Sequence, residues 1–227
     1  VYGNGTDIDD DISAFISNPM EHAEASKIAL FSIADYAWNM DAYKSDASWR
    51  RAVRYLMPGH AAALQVFASH NSDLGGNEHD FRREESEQIR PALERLLDAY
   101  CREGKREVAA ASAVTEECER MIASADLLLA SDENPTLIKE ITPWLMQFKL
   151  LGEYGREVLC MLAAQCDGKK TELEKAASHA KALQVLMKKI DATYNQNGFQ
   201  PGVKTGSCHL KPAFDRLYQE VVQRTGK

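Results

Sequence analysis

No stretch of this 227-residue chain comes near the roughly 20 consecutive apolar residues of a helical membrane span, although 44% of its residues are hydrophobic. A basic excess is missing as well: 27 Lys and Arg stand against 34 Asp and Glu, a net charge of −7. Neutralising phosphates requires the opposite balance, so a nucleic-acid partner is disfavoured. The basic pairs Arg50-Arg51, Arg82-Arg83 and Lys188-Lys189 sit among acids and read as solvated helix faces. Cysteine is sparse, scattered and odd in number, with five residues and no CxxC pair, so no strong zinc signature is present. Cys118 and Cys160 fall at apolar helical positions, where a thiol behaves as a small buried hydrophobe. A glycine-rich phosphate loop, a GxSxG elbow and an HExxH helix are all absent. Val1–Asp11 has neither the basic nor the apolar region of a leader peptide. Sustained period-two alternation is confined to Ile12–Ile16, so a β-rich fold is excluded.

What remains is helical periodicity. Val1–Asp11, rich in Gly, Asn and Asp, reads as a loop, and Ile12–Ile16 as one short strand. Pro19 ends it. From Met20 to Trp38 a helix is expected, with Ala25, Ile28, Ala29, Ser32, Ile33, Tyr36 and Ala37 on one stripe. Ser45 is placed as the N-cap of the next helix, which Pro58-Gly59 stops. Further helices are expected over His60–His70, Glu84–Cys101, Lys105–Ala130, Lys170–Tyr194 and Lys211–Val222. Another periodic run spans Ser131–Gly168. Pro143 within it is expected to kink the helix or open a new one, with Thr142 as cap. "NSDLGGNEHD" and "NQNGFQPGVKTGS" are the two strong loop signals. The fold expected is an all-α multihelical bundle behind a short strand–loop–helix unit.

Few residues offer chemistry. Asp9-Asp10-Asp11 could hold a hard metal or move protons, but with nothing rigid before them a solvated loop is the better account. His70, Asp73, His79 and Asp80 are zinc-competent side chains, yet glycines separate them and Asx turns explain the acids. Asn195, Gln196, Asn197 and Gln200 are amides suited to sugar hydroxyls or to buried backbone groups. His22 and Ser26 share a helix face four residues apart, without a third group to orient them. No catalytic residue, metal or cofactor is assigned.

"FISNPMEHAEASKIALFSIADYAWN" resembles the end of the catalytic barrel in family 84 glycoside hydrolases, the β-N-acetylglucosaminidases that include bacterial O-GlcNAcases and hyaluronidase-like enzymes. "HNSDLGGNEHDFRREES", "SADLLL", "EITPWLMQFKLLGEYGREVL" and "NQNGFQPGVKT" resemble segments of the helical domain that follows that barrel, and the resemblance covers essentially the whole chain. It implies that residues 1–44 hold the last strand, loop and helix of an incomplete β/α barrel, and residues 45–227 a post-catalytic helical bundle. The loop after a barrel strand is where such enzymes place site residues. In the family the Asn of the "NPM" loop contacts hydroxyls of bound N-acetylglucosamine, which by motif match is Asn18. The alternative reading of Asn18 is a cap for the following helix. The family's mechanism is retaining and substrate-assisted, with an adjacent Asp pair on an earlier barrel strand. Asp9-Asp10-Asp11 precedes Asn18 by only seven to nine residues, and no apolar strand leads into it, so it is not that pair. The resemblance thus implies a non-catalytic portion of a secreted or periplasmic glycosidase. Its partners would be the upstream barrel and an N-acetylglucosamine-containing glycan or glycoprotein, with neither nucleic acid nor membrane. Helical stalks of eukaryotic relatives dimerise, so a protein-interaction or homodimerisation module is the alternative.

Overall fold

The computed structural model describes residues 13–72, 83–194 and 202–226. Among them, eight helices account for the regular structure: α1 (Ala23–Trp38), α2 (Ser45–Leu56), α3 (Ala61–Ser69), α4 (Arg90–Glu103), α5 (Val108–Leu129), α6 (Pro135–Cys166), α7 (Lys170–Tyr194) and α8 (Leu210–Thr225). The all-α expectation holds.

The helix ends follow from local chemistry. Asn134 Oδ1 accepts the Leu137 N–H at 3.1 Å, with Pro135 in the first turn where a missing donor costs nothing. Glu107 caps α5 through the Ala110 N–H at 2.5 Å. α4 stops at Gly104, whose φ of +67° suits a residue without a Cβ and whose N–H returns to the Tyr100 carbonyl at 2.9 Å. Ser45, in contrast, is the first residue of α2 rather than its cap: Lys44 holds the cap position and makes no side-chain capping bond.

α6 is the axis of the bundle. Leu137, Leu145, Phe148, Leu151, Tyr154, Val158 and Leu162 along it are sealed from solvent, and α5, α7, α8 and α1 all pack on it. Two glycines set how close the neighbours come. A Cβ on Gly152 would stand 3.0 Å from the Cys118 carbonyl oxygen, and one on Gly155 2.5 Å from Phe214 Cε2. Pro143 neither opens a second helix nor gives Thr142 a capping role. α6 runs through it, and the Thr142 hydroxyl donates to the Ile138 carbonyl one turn back at 2.6 Å. Burial along both flanks of a 32-residue helix outweighs the roughly 3 kcal/mol that an internal proline costs.

Two further expectations are corrected. Ser13–Ile16 forms no strand. A strand exists through its ladder, and no neighbouring strand stands among the described residues to complete one. Cys118 is buried, but Cys160 is exposed on the outer side of α6, because that helix covers its neighbours on most of its circumference but not on this line.

Candidate functional site

Asn18 lies in the irregular segment between Ile16 and Ala23, and it is exposed. It does not cap α1. The cap position belongs to His22, whose side chain makes no capping bond. The acceptor comes instead from α6, where Glu140 Oε2 takes the N–H groups of Glu24 at 2.9 Å and Ala25 at 3.0 Å. A carboxylate there satisfies two orphan donors and meets the positive end of the helix dipole. Nearby, the His22 ring packs edge-on to Trp144 with centroids 5.2 Å apart.

The other end of α1 is fixed by aromatics. Tyr36 is sealed from solvent and meets Phe15 at 5.6 Å and Tyr43 at 5.1 Å, both edge-on. The Tyr43 hydroxyl lies 2.6 Å from Ser32 Oγ. Asp35 pairs with Arg51 of α2. One side of α1 is therefore locked onto α2 and α6, and the preceding segment folds over Tyr36. Apolar side chains nevertheless stand in water around it: Ile16, ahead of α1, is 98% exposed and Trp38, at its last residue, 92%, with Met20 of the preceding segment and Tyr55 of α2 also open. Among the large apolar side chains of α1, Trp38 is left in water, whereas Ile28 packs partly on the core and Phe31 leans on Tyr55 at 5.8 Å.

The remaining sequence candidates do not assemble a reactive site. Ser26 is buried, and its hydroxyl donates to the His22 backbone carbonyl at 2.8 Å, not to the imidazole. His70 is buried with both ring nitrogens engaged, Nδ1 2.8 Å from Ser86 Oγ and Nε2 2.6 Å from Glu117 Oε1. Burial pushes its pKa down to about 4, so the ring is neutral at pH 7. It then donates from Nε2 to Glu117, which Arg120 also pairs, while the Ser86 hydroxyl lies between Nδ1 and Glu85 Oε1, 3.1 Å away, with one proton for the two acceptors. Glu85, fully buried beside Ser86, accepts the N–H groups of Cys208 at 2.6 Å, His209 at 3.1 Å and Leu210 at 3.3 Å. It thereby caps α8 from a distant part of the chain. Ser86 itself is the non-glycine residue held at φ +58°.

Hydroxyl, imidazole and carboxylate in line imitate a nucleophile relay. Ser86 and His70, however, are each 2% exposed at the back of a recess of about 330 Å³, and both are held by the hydrogen bonds that close the cluster. The cluster is a clamp joining α3, α4, α5 and α8. With both nitrogens in use His70 is no metal ligand, and no group of three or more metal-competent side chains occurs among the described residues. Asp9, Asp10, Asp11, Asp73, His79, Asp80, Asn195, Gln196, Asn197 and Gln200 lie outside the described residues.

Residues 85–218 match the family model described as bacterial GH84, post-catalytic domain, which is more than half of the chain. The chain belongs to this family. Residues 1–69, through the end of α3, match a second model, beta-N-acetylglucosaminidase. Solved structures agree with the post-catalytic assignment. The chain is 21% identical to CpGH84B, covering 96% of itself and 35% of that chain at a TM-score of 0.81. For CpGH84D the values are 27%, 91%, 34% and 0.73. A mutant O-GlcNAc hydrolase of Thermobaculum terrenum gives 19%, 92%, 42% and 0.65. The chain thus spans well under half the length of each. In this post-catalytic domain, α4 to α8 carry the helical-domain match, and the exposed apolar residues around α1 fall within the glycosidase match.

Proposed function

We propose that the chain is the non-catalytic carboxy-terminal portion of a retaining, substrate-assisted β-N-acetylglucosaminidase acting outside the cytoplasm, in the secreted or periplasmic space. Residues 1–44 complete the catalytic barrel, and residues 45–227 buttress it. The exposed apolar residues around α1 support this reading most directly. A helix locked to its bundle, with Ile16 ahead of it and Trp38 at its end both in water, has the form of an interface lacking its partner. Asn18 sits on that same edge, and its amide offers two donors and an acceptor to hydroxyls of a terminal N-acetylglucosamine. The proton transfers belong to an acidic pair on an earlier barrel strand. The residues of this chain bind and position.

The test is an assay of residues 1–227 with 4-nitrophenyl N-acetylglucosaminide. No nitrophenolate release is expected, and robust turnover would overturn the proposal. In the longer enzyme Asn18→Ala should lower kcat/KM by about tenfold, the worth of one well-made hydrogen bond to substrate.

A further inference from the structure

A recess opens between α6, α7, α8 and the segment Gly202–His209. It encloses about 660 Å³, within the range of small-molecule sites. Two of its lining residues hold buried oxygens that find no hydrogen-bond partner among the described residues, Gln147 Oε1 and Thr205 Oγ1. The Gln147 amide nitrogen is fully used, donating to the carbonyls of Met187 at 3.0 Å and Val203 at 3.1 Å, which fixes the side chain and leaves its oxygen over. Buried polar atoms without partners cost stability, so each calls for an explanation.

The rest of the wall narrows the ligand. Tyr154 donates its hydroxyl to Asp215 at 3.0 Å and accepts from Gln184 at 2.8 Å. Asp215 also pairs with Lys211 at 2.5 Å, and Asp191 accepts the Val203 N–H at 2.8 Å. Three lysines, Lys188, Lys204 and Lys211, stand beside two carboxylates, Asp191 and Asp215, so neither sign of charge dominates the wall. Donors and acceptors alternate around a small apolar patch of Met187, Val203 and Pro212. A pyranose presents the complementary surface, with hydroxyls that donate and accept around a C–H face. We infer that this recess is an accessory site for a neutral saccharide, distinct from any sugar contact at Asn18, with the sealed oxygens of Thr205 and Gln147 turning outward to meet its hydroxyls at the floor.

The experiment is a 15N–1H titration of the chain with N-acetylglucosamine, galactose, mannose and glucose, each to tens of millimolar, with inorganic phosphate as the anion probe. Saturable shifts for at least one sugar, confined to the amides of Val203, Lys204, Thr205 and Ser207 and their neighbours, are expected. Thr205→Val keeps the shape and removes an unpartnered hydroxyl. It should raise the melting temperature slightly while weakening that sugar about fivefold. No saturable shift with any of the four sugars would overturn the inference, as would phosphate moving the same amides or unchanged affinity in a folded Thr205→Val protein. In the first case bridging water is what the two oxygens hold.

Discussion

The Glu140 carboxylate, on the central helix, accepts the backbone N–H of Ala25 across 115 residues of sequence. One side chain thereby ties α1 to the bundle, because α1 has no cap of its own. Glu140→Ala should cost about 0.5–2 kcal/mol, the range for losing a helix cap. The loss is expected to be local: hydrogen exchange in residues 23–27 should accelerate while the amides of α5 to α8 keep their protection. Uniform acceleration would show instead that α1 is not a separately tethered unit.

His70 makes stability depend on pH. Its folded pKa of about 4 lies below the ordinary 6.5, so between those values the unfolded chain binds the extra proton and the folded chain does not. Stability from this group is complete above about pH 6.5 and declines as pH falls towards 4, by up to roughly 3 kcal/mol. Urea unfolding at pH 7 and pH 4.5 measures the decline. His70→Gln should be less stable at pH 7 yet flatter across the interval, and an unchanged slope would assign the effect to other groups.

At Gly155 the Phe214 ring of α8 lies against the α6 backbone. A methyl group there meets Phe214 Cε2 at 2.5 Å and Cys118 Sγ at 2.8 Å, both in sealed surroundings that have no room to yield. Gly155→Ala should destabilise by about 1–3 kcal/mol through overpacking, seen as a fall of several degrees in melting temperature. Gly168, with nothing within 4 Å of its added Cβ but a φ of +68°, makes the contrasting control in which only backbone strain acts.

The cysteines should separate by location. Cys118 is sealed, and burial pushes its thiol up to about 12, so it should resist iodoacetamide until the chain unfolds. Cys160 is exposed and should be alkylated in the native protein. Peptide mass spectrometry with and without urea reads both.

Much of this architecture was legible in the sequence because helical periodicity is local. α7 runs from Lys170 to Tyr194, the bounds its apolar spacing indicates. Where longer-range packing decides, local reading failed. Of the two readings Pro143 allowed, a kink or a new helix, the second is removed because α6, held from four sides, runs through it. Ile12–Ile16 alternates like a strand, yet Ser13–Ile16 has no neighbour with which to be one. Cys160 has apolar neighbours in sequence, but one turn before it on α6 stand Arg156 and Glu157, and it shares their outer side. The clamp of His70, Ser86, Glu85 and Glu117 was illegible for the same reason. Its parts are up to 47 residues apart along the chain, and the N–H groups that Glu85 serves lie 123 to 125 residues away. The face around Asn18 was reached by resemblance, since one exposed amide has no local signature.

The most direct measurement is hydrogen exchange across Ser13–Trp38, in this chain alone and in the longer polypeptide that contains the barrel. If Ile16, Asn18 and Trp38 border a barrel, their segment should exchange at least about tenfold more slowly in the longer protein, while α5 and α6 exchange alike in both. Equal rates over Ser13–Trp38 in the two proteins would contradict an interface there.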